Sequence, residues 1–141
     1  MSIGIPLLVF LVIVGQSMSG RVELQIKGIH NGRSTGHRFR DNDFIDIIVE
    51  YNRTEPGHQF YYLAVYKEND YFYRRFKDGG YQIYWEHGLR GAHPMETGDT
   101  LVHIQVPNAT KEAAGKYWAA INYLESGYQI KTRPIKLVHY G

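Results

Sequence analysis

Beyond its first twenty residues the chain alternates apolar and polar positions in short runs, and the alternation predicts strands. Val22, Leu24 and Ile26 are separated by Glu23 and Gln25, the period-two pattern of a strand with one face in a core and the other in water. Over residues 44–51, Ile45, Ile47, Val49 and Tyr51 share one face while Asp46 and Glu50 share the other, so the pattern itself chooses the buried side. Phe44 and Ile48 on the wetter face imply that a neighbour covers part of it. Residues 60–67, 71–76 and 81–85 are rich in aromatic and branched side chains, which suit a pleated, half-buried surface. Glu68-Asn69-Asp70 and Asp78-Gly79-Gly80 between them read as hairpin turns.

Residues 100–106 alternate again, with Val102, Ile104 and Val106 opposed to His103 and Gln105. A final hairpin is expected from residues 116–124 and 129–140 around Glu125-Ser126-Gly127. The one helical candidate, Lys111-Glu112-Ala113-Ala114, is too short to stand alone in water. Eight or so short strands punctuated by turns imply an all-β fold, an antiparallel sandwich or barrel. No internal repeat or low-complexity linker divides it.

The start of the chain has a different pattern. An apolar run from Ile5 to Val14 is followed by Gly15-Gln16-Ser17-Met18-Ser19-Gly20, whose small residues suit signal-peptidase cleavage near Ser19 or Gly20. The run is short for a bilayer span, which needs about 20 apolar residues. Residues 1–20 are therefore expected to be a signal peptide and residues 21–141 a single domain. The product is expected to be secreted, extracellular and without a stable membrane anchor.

Composition narrows the chemistry. A net charge of +2, with its basic residues spread among acids, gives little reason to expect a nucleic-acid partner. Only Arg74-Arg75-x-Lys77 forms a local basic cluster. The absence of cysteine excludes thiol catalysis, cysteine-ligated metals and the disulfides on which small secreted domains often rely.

One segment carries a family resemblance. In Ile104-Gln105-Val106-Pro107-Asn108-Ala109-Thr110-Lys111-Glu112-Ala113-Ala114-Gly115-Lys116-Tyr117-Trp118-Ala119, a strand, a tight corner and a second strand follow one another. This resembles the region between the fifth and sixth strands of an immunoglobulin variable-type domain, where Gly-x-Tyr-x-Cys closes the corner. Here Gly115-x-Tyr117-x-Ala119 keeps the tyrosine and lacks the sulfur. Ile45, Ile47 and Val49 match the rhythm of the second strand, with Val49 at the position of the other cysteine. Ile104, Val106 and Ala109 match the fifth.

The sequence departs from the family pattern at two places. Ala113, with Glu112 beside it, stands where an acidic residue is usual, and Tyr62 or Leu63 must replace the tryptophan of the third strand. The resemblance implies an immunoglobulin-like β-sandwich lacking the intersheet disulfide. In it Tyr117 fastens the corner, while Val49 and Ala119 supply apolar volume in place of a bond typically worth about 2–4 kcal/mol.

The resemblance also points to recognition rather than catalysis. Tyr61, Tyr62, Tyr66, Tyr71, Phe72, Tyr73, Phe76, Tyr81, Tyr84 and Trp85 crowd one quarter of the domain, more than a two-layer core can bury. A variable-like topology implies one open face carrying a partner-binding set of Tyr62, Tyr66, Tyr73, Arg75, Trp118 and Asn122. Such residues give large contact area at low entropic cost. The expected partner is a protein, with a homodimer as the first guess. A glycan on the same platform, or a small ligand inside a carrier barrel, are the alternatives. The competing reading is that tyrosines are simply good strand residues.

Asn52-Arg53-Thr54 and Asn108-Ala109-Thr110 are glycosylation sequons. His87 and His93 lie among Gly88, Gly91 and Pro94, a loop without zinc spacing, so no metal is expected. Ser34, Ser126, His58 and Asp99 have no nucleophile-elbow context, and Asp41/Asp43 and Glu68/Asp70 read as solvated turn carboxylates. Neither enzymatic activity nor a cofactor is expected.

Overall fold

The computed structural model describes residues 19–141, so the apolar run from Ile5 to Val14, on which the expected signal peptide rests, lies outside the described residues. The strands are β1 (Arg21–His30), β2 (Arg33–Ser34), β3 (Arg38–Phe39), β4 (Phe44–Asn52), β5 (Phe60–Lys67), β6 (Asp70–Phe76), β7 (Tyr81–Ile83), β8 (His93–Thr97), β9 (Leu101–Val106), β10 (Gly115–Tyr123), β11 (Gln129–Lys131) and β12 (Ile135–His139). They form a sandwich of two sheets. One runs β2-β1-β4-β9-β8, and the other runs β3-β12-β10-β5-β6-β7 with β11 also paired to β10. All pairings are antiparallel except β3 with β12.

The alternating pattern places the core where the sequence predicts it. Ile45, Ile47, Val49 and Tyr51 of β4 and Val102, Ile104 and Val106 of β9 are buried, facing Leu63, Val65, Tyr117, Ala119 and Ile121 across the layer. Phe44 is exposed and Ile48 half-buried. Val49 and Ala119 are both fully buried in this one cluster. The Tyr117 hydroxyl donates to the Ala113 carbonyl at 2.6 Å, fastening the corner. Burial pushes its pKa up, which keeps it a neutral donor at any ordinary pH.

Gly28 lets the chain cross over itself. The Gly28 N–H donates to the Gly36 carbonyl at 2.9 Å, and a Cβ on Gly28 would collide with the Arg38 carbonyl oxygen. The segment leading to β3 can therefore lie directly against β1 and pass from one sheet to the other.

Three local expectations change, at residues 93–97, in the last strand and at Asp43, and the helical candidate stays a single turn. Residues 93–97, read as loop, form β8, an edge strand whose Pro94 is tolerated because an edge has one unpaired side. The last strand breaks into β11 and β12 around Pro134, which has no N–H to give a ladder. Thr132 bridges the break: its hydroxyl accepts from the Ala119 N–H at 3.0 Å, and its own N–H donates to the Ala119 carbonyl at 2.9 Å.

The helical candidate is a 3-10 turn, Lys111–Ala113. Asp43, read as a solvated turn carboxylate, is buried. It accepts from the Arg40 N–H at 2.8 Å and meets His30 Nδ1 at 2.6 Å. Among the described residues no helix is long and apolar enough to cross a membrane.

Candidate partner-binding face

Because Tyr117, Ala119 and Ile121 of β10 point into the core, Trp118, Ala120 and Asn122 point outward. Opposite them on β5 stand Tyr66, Ala64 and Tyr62. The Ala64–Ala120 pair is small, so larger rings close over it from both ends. Tyr66 and Trp118 stack with centroids 3.7 Å apart and planes 3° from parallel. The Trp118 indole N–H donates to the Glu68 carbonyl at 2.7 Å, and Lys131 Nζ lies 5.8 Å from the same ring. Asn122 accepts a bond from the Gln129 side chain at 2.9 Å, and both amides approach the Tyr66 hydroxyl.

The third row of this face comes from β6. Arg74 lays its guanidinium over three rings at once, 4.4 Å from Tyr71, 5.1 Å from Tyr62 and 5.1 Å from Phe76. Gln82 of β7 holds it there by accepting from both Nε and Nη2. The side chain is pre-ordered, so a partner meeting it bears little of the entropy cost of fixing a long cation.

Two of the expected face residues lie elsewhere. Tyr73 is fully buried in the core, and Arg75 is 7% exposed. Tyr66 pairs with Tyr71, and an unbroken antiparallel register would continue to Ala64 with Tyr73 and Tyr62 with Arg75, all outward. The register shifts between Val65 and Tyr66, so Tyr73 pairs with Val65 and Arg75 with Leu63. One inserted residue, Phe72, inverts every later side chain of β6. The bulge sends Tyr73 and Arg75 inward and brings Arg74 and Phe76 out.

Inside, Arg75 becomes a fastening for the end of the sandwich. Its Nη1 donates to Asp99 at 3.1 Å, and Arg53 reaches the same carboxylate at 3.4 Å. The Tyr73 hydroxyl has no hydrogen-bond partner among the described residues, and burial raises its pKa.

The sequence places Tyr62, Tyr66, Trp118 and Asn122 on this face and sets Tyr71, Phe76 and Arg74 in the aromatic and basic stretch beside it, but it does not show that Arg74 rather than Arg75 faces out, and it misses Gln129 and Lys131. Arg74 sits in the basic cluster visible in the sequence, but no pattern within β6 marks the insertion. Gln129 and Lys131 carry no sequence signal beyond lying on a final strand.

The sequons differ in setting. Asn52 donates to the Ser19 carbonyl at 3.1 Å and accepts from the Thr54 N–H at 3.1 Å. Asn108 is exposed at the β9–β10 corner with φ 51°. It lines a cleft of about 950 Å³ together with Trp85, Asp41, Asn42, His87 and Arg90. Trp85 is 61% exposed and tethered by its indole N–H to the Ala92 carbonyl at 2.8 Å. His87 pairs with Asp70 at 3.3 Å, and among the described residues no three His, Cys, Asp or Glu side chains gather as metal ligands.

No protein-family model matches the chain, and no curated protein matches it.

Proposed function

We propose that this chain is an exported recognition module of the immunoglobulin variable type, binding a protein partner through the outer face of β10, β5 and β6. A second copy of the chain is the first partner to test. The apolar leader supports export. The strand order supports the variable type: four principal strands, β1, β4, β9 and β8, oppose a sheet in which β6 and β7 extend the β12-β10-β5 group. Tyr117 closing its corner supports it as well.

The observation that carries the binding reading is the Tyr66–Trp118 stack with Arg74 spread over the neighbouring rings. Tyr66 is 8% exposed and packs with Ala64 and Ala120 in a small cluster separate from the main core, and Tyr62, Trp118 and Arg74, all half-buried, form its solvent side. They form a rigid apolar patch with cationic and amide groups at its margin, the composition that favours protein interfaces. Binding here requires neither a cofactor nor a catalytic group.

The glycan alternative draws its support from the other cleft. On the sheet face Trp118 stacks against Tyr66 on one side and has Lys131 nearby, so it offers no open flat platform. Trp85 is more exposed and has Asp41, Asn42 and Arg90 beside it, a mixture suited to a sugar ring and its hydroxyls.

Light scattering after size exclusion separates the readings. The expected result is a dimer that Trp118→Arg converts to monomer and Trp85→Arg leaves intact. A monomeric wild type that binds a defined sugar on a glycan array, and loses it in Trp85→Arg, replaces the protein-binding reading.

A further inference from the structure

Glu55 occupies an unusual position between β4 and β5. Its Oε2 accepts the Tyr128 hydroxyl at 2.6 Å, while its Oε1 accepts the backbone N–H of Gly20 at 3.2 Å. The Tyr128 bond first, and the Gly20 bond second, hold the carboxyl below its usual pKa, so it is a carboxylate under physiological conditions. A negative charge is thus fixed against the nitrogen of the residue that precedes β1.

The site also selects the residue it holds. A Cβ on Gly20 would stand 2.6 Å from the Tyr123 hydroxyl and 2.7 Å from Ile130 Cδ1, closer than a side chain can approach. Tyr123 is itself fixed, donating to the Arg53 carbonyl at 3.0 Å. Glycine fits between these groups without displacing either side chain and presents its nitrogen to Glu55. On the sequence side, Ser17 and Ser19 place small residues three and one positions before the Ser19–Gly20 bond, the pattern a signal peptidase requires. Cutting one bond later would put Met18 at the first of those positions.

We infer that the leader is removed between Ser19 and Gly20, and that the new α-ammonium of Gly20 docks on the Glu55 carboxylate as a built N-terminal site. The inference rests on the export reading. It moves the domain boundary from the expected 20/21 to 19/20. The peptidase-catalysed step is a hydrolysis: water adds across the Ser19–Gly20 amide, Ser19 leaves with the new carboxylate, and Gly20 keeps the nitrogen, which takes up a proton to become an ammonium. A bond charged only on its acceptor side thereby becomes an ammonium–carboxylate pair, charged on both sides and stronger. Processing and folding are coupled, because the end made by the cut is the end the fold grips.

The test uses the full-length gene expressed in a eukaryotic secretory host. Intact mass of the protein in the medium is expected to correspond to a chain beginning at Gly20. The α-amine is then acylated at near-neutral pH with a limiting amine-selective reagent, and peptide mapping gives its rate with Lys27 and Lys136 as internal references. An ammonium held by a carboxylate stays protonated and reacts slowly. The Gly20 amine is expected to react several-fold more slowly in the native protein than in urea, and several-fold faster in Glu55→Gln than in wild type.

A secreted chain beginning at another residue, or a Gly20 amine equally reactive in native protein and in urea, overturns the inference. The urea comparison needs no variant and stands if Glu55→Gln fails to fold. A chain retained inside the cell with its leader intact overturns the export reading instead.

Discussion

The two faces of the β10-β5-β6 sheet carry tyrosines in comparable number and use them differently. On the inner face Tyr117 and Tyr73 are sealed from water, one with a single backbone acceptor for its hydroxyl and the other with none among the described residues. On the outer face Tyr66 and Tyr62 are surrounded by Trp118, Arg74, Asn122 and Gln129, groups that bond or stack with them and still reach solvent. The inner rings contribute volume to a core, and the outer rings make an ordered surface. Aromatic content alone does not separate the two roles; strand register does, and here a single bulge divides the set.

The largest expected effect comes from emptying the inner face. Tyr73→Ala should lose about 3–5 kcal/mol of unfolding free energy in urea, the usual cost of a large core ring. Tyr62→Ala on the outer face should lose only about 1 kcal/mol, chiefly ring–ring contact. Equal losses would mean that both faces are structural and would remove the contrast.

Hydroxyl deletion sharpens it further. Tyr117→Phe removes the bond to Ala113 and should cost about 1 kcal/mol, whereas Tyr73→Phe removes a buried hydroxyl with no partner and should be neutral or slightly stabilising. A substantial loss in Tyr73→Phe would mean that the hydroxyl is satisfied after all.

The smallest effect concerns acid. Burial pushes the Asp43 carboxyl up, but the Arg40 N–H and His30 together outweigh it, leaving the pKa below the usual 3.8. Its contribution is therefore complete above that value and fades as the pH falls through the lower folded one. Asp43→Asn should flatten the acid limb of a plot of unfolding midpoint against pH; an unchanged limb would assign acid sensitivity to other carboxylates.

Much of this arrangement is written in the sequence because it depends on local periodicity. Ile45, Ile47 and Val49 declare their side by alternating with Asp46, Ile48 and Glu50, and Trp118 and Asn122 follow once Tyr117 is placed inward. Tyr73 and Arg75 defeat the same reasoning, since a bulge preserves composition and turn signals while inverting the phase. Asp43 reads as a solvated turn carboxylate because its side-chain partner His30 stands thirteen residues away in the sequence. The strand at residues 93–97 is hidden by Pro94, and its edge position is a property of the sheet rather than of the segment.

A partner can reach the outer rings but not the inner ones. Hydroxyl-radical footprinting, read by peptide mass at low and high protein concentration, examines both at once. The expected outcome is oxidation of Tyr62, Tyr71 and Trp118 in dilute protein, protection of those three in concentrated protein, and silence at Tyr73 and Tyr117 throughout. Oxidation of Tyr73 in the native fold, or oxidation of Trp118 that does not change with concentration, would contradict the account.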